Sequence, residues 1–236
     1  MLGSDKTSSR EKIISAAYMI FAERGFHGAR TSEIAEAAGV NKALIHYYFE
    51  TKEKLYQEVL EQIFSTISTK LNQVLEEEAE PYEKIARVIT TYFDFVSQNP
   101  EARRIILREL ASEGGRLRDI MPRYIRSVFK KGKEIFEKGV REGVFYPADP
   151  YHLFINLVGL IGFYFGAAPI LSRILEKDLL SKENIEERKK ELLSFVSKGL
   201  LRKRKVYHLS FLPLPFSVLI AQMEEDEEEG NNDKEG

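Results

Sequence analysis

The chain has 236 residues, 43% of them hydrophobic and 31% charged, with a formal net charge of −2. That balance belongs to a globular protein rather than a disordered one, and it supplies no overall positive charge for nucleic acid, so any basic footprint must be local. Cysteine is absent, which excludes disulfides and thiolate metal sites; the four histidines (His27, His46, His152 and His208) lie too far apart for a local metal motif.

The opening residues, MLGSDKTSSREK, lack the apolar core of a secretion signal, so the expected compartment is the cytoplasm. Ser8-Ser9-Arg10-Glu11 reads as a capping box that starts a first helix. Ile13, Ile14, Ala17, Ile20 and Phe21 form its core face, and Gly25 stops it. Thr31 is expected to cap a short second helix, Asn41 a third and Thr51 a long fourth. Leu55, Val59, Ile63, Ile67, Leu71 and Val74 run along the fourth as one stripe. Pro81 and Asn99-Pro100 open the next two helices, and Gly114-Gly115 separates the second of these from one spanning about Leu117 to Glu142.

Asp149-Pro150 opens a helix with no charge from Pro150 to Ser172, and roughly 18 apolar residues suffice to cross a membrane. A helix buried on all sides in a core or a subunit interface is the preferred reading, and no membrane is expected. No basic cluster flanks the run to orient it, and Asn156 and Pro169 interrupt it. A capping box at Asn184 to Glu187 leads to Leu192, Leu193, Val196 and Leu200. After Arg202 to Lys205 comes an apolar stretch, then the acidic run Glu224 to Glu229, read as a solvated tail. The fold class is therefore all-α, with about nine helices: a compact trio, a long connector and a larger helical body.

The stretch AGVNKALIHYYFETK, residues 38–52, carries the function. Thr31 to Ala38, a turn at Gly39, and Asn41 to Tyr48 have the layout of a helix-turn-helix, whose second helix enters the major groove of DNA. Ile45 and Phe49, four apart, share a buried face; Ala43, Leu44, Tyr47 and Tyr48 are then directed outward, with His46 at the margin. Phenol hydroxyls donate to phosphate oxygens, while Ala43 and Leu44 suit thymine methyl groups. Lys42 begins this helix, Lys52 lies in the first turn of the fourth, and Thr31 and Ser32 open the second. Arg30, Lys6, Arg10 and Lys12 are further candidates for the DNA backbone. Singly, Tyr47 and Tyr48 are also ordinary packing residues, and Lys42 and Lys52 ordinary surface lysines; only the joint arrangement favours DNA.

The segment TSEIAEAAGVNKALIHYYFETKEKLYQEVL resembles the DNA-binding segment of the TetR-type (tetracycline repressor-like) transcriptional regulators. The threonine, I-A, A-G-V, Y-x-Y-F-like and K-E-x-L positions are met without gaps. The resemblance is strong over about residues 10 to 60 and architectural beyond. It implies DNA contacts at Thr31, Ser32, Lys42, Ala43, Leu44, His46, Tyr47, Tyr48 and Lys52. Ala43 and Leu44 stand where glycine and threonine are commoner, which leaves the base preference open, and the tail beyond Lys205 is longer than usual.

The resemblance also implies a homodimer joined through the last two helices of the body, with a small-molecule pocket in each body. Gly159, Gly162 and Gly166 offer a small-residue side for such a contact, and Leu192, Leu193, Val196 and Leu200 a stripe that serves either a partner or the chain's own core. Tyr92, Tyr124, Phe129, Asn156 and Tyr164 are the candidate pocket residues. Arg103, Arg104 and Arg108 suit an acidic effector or a solvated face. The expected division is residues 1–53 for DNA binding, 54–205 for effector binding and dimerisation, and 206–236 as tail. The expected function is a dimeric repressor released from a near-palindromic operator by a small molecule. No cofactor or metal is expected. No enzyme is expected either, because no phosphate loop, nucleophile elbow or carboxylate pair near a histidine is visible. A membrane-anchored regulator and a DNA-binding protein without an effector are the alternatives.

Overall fold

A computed structural model describes residues 3–112 and 115–202, and among them the chain forms nine helices and no strand. The helices are α1 (Gly3–Gly28), α2 (Thr31–Ala38), α3 (Lys42–Phe49), α4 (Lys52–Glu76), α5 (Pro81–Gln98), α6 (Pro100–Ala111), α7 (Gly115–Arg141), α8 (Pro150–Ile174) and α9 (Lys182–Leu200). Gly114 and the 206–236 tail lie outside the described residues.

Most helix starts follow the capping chemistry read from the sequence. The Asn41 side chain accepts from the Ala43 N–H at 2.9 Å, and Thr51 from the Lys54 N–H at 3.1 Å. Asp149 accepts from the N–H groups of Tyr151 and His152 at 2.7 and 3.1 Å. Three starts differ. Helix α1 already runs through Ser8-Ser9 from Gly3. Arg30, not Thr31, is the N-cap of α2: the Glu33 carboxylate, itself paired with Arg24, accepts the Arg30 N–H at 3.2 Å. Thus the acid at the third helical position does the capping, and the register moves by one. Helix α9 starts three residues early because Ser181 caps it while the Asn184 side chain donates to the Asp178 carbonyl at 2.6 Å.

One apolar cluster joins Ile13 and Phe21 of α1, Ile34 of α2, and Ile45 and Phe49 of α3 to Leu55, Val59 and Leu60 of α4. It continues along α4 to Ile105 of α6 and to Leu117, Ile120 and Val128 of α7. The predicted α4 stripe is buried except at its end, where Leu75 takes the place expected of Val74, as the drift of a 3.6-residue turn requires. A second cluster gathers Tyr82, Ile89 and Phe93 of α5 with Phe136, Phe145, Ile161, Phe165, Leu192 and Val196. Head and body are therefore held on one continuous helix.

Helix α8 departs most from expectation. Ile161, Phe165 and Ala168 face the core, but Ile155, Phe163, Ile170 and Ile174 are 61–70% exposed, and only 17% of the most apolar 18-residue window is buried. Among the described residues it is not enclosed on all sides. The Leu192, Leu193, Val196 and Leu200 stripe of α9 is the chain's own core, leaving Phe195 as the large apolar side chain turned outward. Among the described residues, Gly159 and Gly162 have nothing within 4 Å of an added Cβ.

Candidate nucleic-acid interface

The α2–α3 corner turns on Gly39, whose φ of 64° is the left-handed region that glycine enters without a Cβ clash. Its N–H and that of Val40 close back on the carbonyls of Glu36 and Ala35 at 3.0 Å, satisfying the end of α2. Ile45 and Phe49 are buried to 3% exposure and fix the roll of α3. Lys42, Ala43, His46 and Tyr47 are consequently presented to solvent, Tyr47 at 64% exposure. Leu44 and Tyr48, read from the sequence as directed outward, are half-buried against the core. Tyr48 meets Tyr47 edge-on at 5.1 Å, so the half-buried ring braces the exposed one. Thr31 is half-buried and Ser32 exposed at the start of α2.

The basic residues divide by what they already hold. Arg10 pairs with Glu58 at 2.8 Å and lies 5.3 Å from the Phe49 ring centre. Lys54 pairs with Glu50, whose carboxyl it draws below the ordinary range. Lys52 turns inward: its ammonium donates to the Phe26 carbonyl at 2.9 Å and the Ala29 carbonyl at 3.1 Å.

The junction between head and body carries charges that sequence reasoning placed elsewhere or missed. Arg108 donates to the carbonyls of Phe21, Ala22 and Glu23 at 3.2, 2.7 and 2.9 Å, so it ties α6 to α1. Arg116 holds Glu53 at 2.6 Å and Glu109 at 3.2 Å and lies 4.1 Å from the centre of the Phe26 ring. Glu109 is 3% exposed, accepts from Arg116 through Oε1 and lies beside the Tyr56 phenol. Burial, reinforced by that carboxylate, raises the Tyr56 phenol well above its ordinary pKa. These residues line a cleft of about 600 Å³; a smaller one of about 280 Å³ lies between α1, α4 and the α5–α6 corner. Nothing in the local sequence pattern marks a buried Glu109.

The five candidate pocket residues have different immediate neighbours. Tyr92 sits where the two apolar clusters meet, its phenol pushed up to about 12 by burial. The Tyr164 hydroxyl donates to the Leu179 carbonyl at 2.6 Å. Phe129 packs on Tyr151 and Phe154, Tyr124 lies beside Glu61, and Asn156 is exposed on α8. None of the five lines either cleft.

Comparison with known proteins agrees with this geometry. The sequence profile described as "Bacterial regulatory proteins, tetR family" matches residues 13–59, and "Tetracyclin repressor-like, C-terminal domain" matches residues 81–196. The HTH-type transcriptional regulator RutR of Escherichia coli O157:H7 is 31% identical over 163 residues, 69% of this chain and 76% of that protein. The nucleoid occlusion factor SlmA of Vibrio vulnificus (strain YJ016) is 29% identical over 164 residues, covering 68% and 84%. Among solved structures, the hemolysin II transcriptional regulator HlyIIR superposes with a TM-score of 0.57 at 28% identity, over 77% of this chain and 97% of that one. With a helix-turn-helix head, an all-helical body and relatives over two thirds of its length, the chain belongs to the tetR family of bacterial regulatory proteins, DNA-binding regulators of transcription.

Proposed function

We propose that two copies of the chain place their α3 helices in successive major grooves, about 34 Å apart, of a near-palindromic operator and repress transcription there. The carrying observation is the outward face of α3, where Lys42, Ala43, His46 and Tyr47 stand clear of a core that fixes Ile45 and Phe49. Lys42 supplies the charge for a base edge or a phosphate, Tyr47 a hydroxyl, and Ala43 a methyl contact; Thr31 and Ser32 approach the backbone from the start of α2. Tyr48 and Leu44 support that face from half-buried positions. The apolar face of α8, with Phe195 of α9, is the surface through which the copies pair. A cytoplasmic location follows from a chromosomal target.

Release by a small molecule completes the reading. The Arg108 and Arg116 ties make the head sensitive to any shift of α6 or α7, and coupling of roughly 1–3 kcal/mol changes affinity about 5- to 150-fold. The cleft of about 600 Å³ beside these ties is within the size range of small-molecule sites. Selection of bound duplexes from a random-sequence pool, with sedimentation of the complex, tests the proposal. A palindromic site carrying two chains is expected; a single chain on an asymmetric site overturns the paired arrangement. Purification that requires detergent favours α8 as a membrane anchor instead.

A further inference from the structure

The end of α9 is clamped, and the clamp fixes where the remaining residues begin. The Tyr146 N–H donates to the Leu200 carbonyl at 2.8 Å and the Arg202 N–H to the Val144 carbonyl at 3.0 Å, around an antiparallel bridge of Phe145 with Leu201. Phe145 is fully buried, and the Arg202 guanidinium lies 5.6 Å from the Tyr146 ring centre. Residues 203–236 therefore start from the α7–α8 corner, beside the first turn of α8. A cluster of rings stands at that turn. Phe129 of α7 lies 5.1 Å from Tyr151 and 5.4 Å from Phe154, and the Lys133 ammonium lies 5.3 Å from Tyr151. Tyr151 is 55% exposed and Tyr146 46%, while Phe129 and Phe154 are half-buried. Arg126 and Lys130, which flank Phe129 on α7, are exposed. The sequence beyond the clamp is complementary. Residues 206–223, VYHLSFLPLPFSVLIAQM, hold no acid, lysine or arginine, and Glu224 to Glu229 are all acidic.

We propose that residues 206–223 of the same chain dock on the Phe129, Tyr151 and Phe154 cluster, and that the acidic run beyond them meets Arg126, Lys130 and Lys133. Two apolar surfaces gain by excluding water together, and tethering selects this occupant. Only residues 203–205 separate the clamp from the apolar stretch, so its local concentration at the cluster is on the order of millimolar, above that of a dilute partner. Reach is ample: residues 206–223 span up to about 60 Å when extended, whereas α7 from Arg141 back to Arg126 runs about 22 Å. The face assigned to pairing centres on Phe163 and Ile170, further along α8, and is left open. The inference does not depend on DNA binding.

The test uses the full chain with Phe216 replaced by the photoreactive p-benzoylphenylalanine, prepared as an equal mixture of 15N-labelled and unlabelled protein. Illumination and peptide mass spectrometry are expected to join residue 216 to residues 125–133 or 146–158 of chains carrying the same label. Tyr151→Glu in that background, which sets a carboxylate against the apolar stretch, should cut the yield about fivefold or more. Links between differently labelled chains would put the segment on a second copy, and links to other segments would place it elsewhere. Either result overturns the proposal, as does the absence of any link or a yield unmoved by Tyr151→Glu. The unaltered chain provides a second measurement. Carbodiimide coupling at low salt is expected to join Lys130 or Lys133 to the run Glu224 to Glu229, and coupling in about 0.5 M sodium chloride to lose that link through screening. No such link, or one indifferent to salt, overturns the proposal as well.

Discussion

Helices α3 and α8 both begin at a side-chain cap and both leave aromatic rings in solvent, yet they suit opposite partners. On α3 the exposed ring is Tyr47, with a polar tip, among Lys42, Ala43 and His46. On α8 the most exposed is Phe163, at 70%, in line with Ile155, Ile170 and Ile174 on a run that has no charged residue before Arg173. The first face is suited to exchange water for phosphate and base edges; the second can gain only by excluding water against another apolar surface. What an exposed ring is for is told by its neighbours and its polar end, not by the exposure.

The largest effect expected from breaking that contrast is Phe163→Asp. A carboxylate forced against an apolar partner costs several kcal/mol, so dimer dissociation should rise by about 100-fold or more, read by sedimentation, with unchanged helicity. A dimer that survives this change pairs through another surface. Lys42→Ala comes next: without its charge-assisted bond, worth about 1.5–3 kcal/mol, operator binding weakens by about tenfold or more, and the dimer stays intact. Tyr47→Phe removes one hydroxyl and should cost about 1 kcal/mol of operator affinity by anisotropy, with no change in melting temperature because the ring is exposed.

The smallest effect concerns the caps. Asn41 is neutral, whereas Asp149 is held below its ordinary 3.8 by the backbone N–H groups of His152 and Tyr151. A lowered carboxyl pKa contributes stability that is complete above 3.8 and is lost as pH falls through the lower folded value. Asp149→Asn should therefore lose less of its urea midpoint than wild type between about pH 5 and pH 3. An equal loss in both would mean that folding does not favour the charged form of the Asp149 cap.

The helical order was legible because apolar spacing, prolines and caps are local signals, and Asn41, Thr51 and Asp149 act as their residue types suggest. The α2 start was misplaced because Thr31 is the better cap by type, while Glu33 reached the backbone one residue earlier. Ile45 and Phe49 were legible as the buried side of α3, since four-residue spacing fixes a face. The inward turn of Lys52 was not, because its carbonyl partners lie 26 and 23 residues earlier in the chain. Nor were the separate neighbours of Tyr92, Tyr124, Phe129, Asn156 and Tyr164: periodicity gives a residue's side of its own helix but not the crossing angles that decide which sides meet.

Helix α4 spans 25 residues without interruption, which at 1.5 Å per residue makes a rod of about 37 Å. Pivoting such a lever by about 5° at its body end swings its other tip through an arc of about 3 Å, the length of a hydrogen bond. In a two-fold pair the tips travel in opposite senses, so the gap between reading heads changes by up to about 6 Å against a groove repeat of about 34 Å. In the proposed pair, a modest nudge far from the duplex would thereby be magnified into a misfit that neither head could absorb alone.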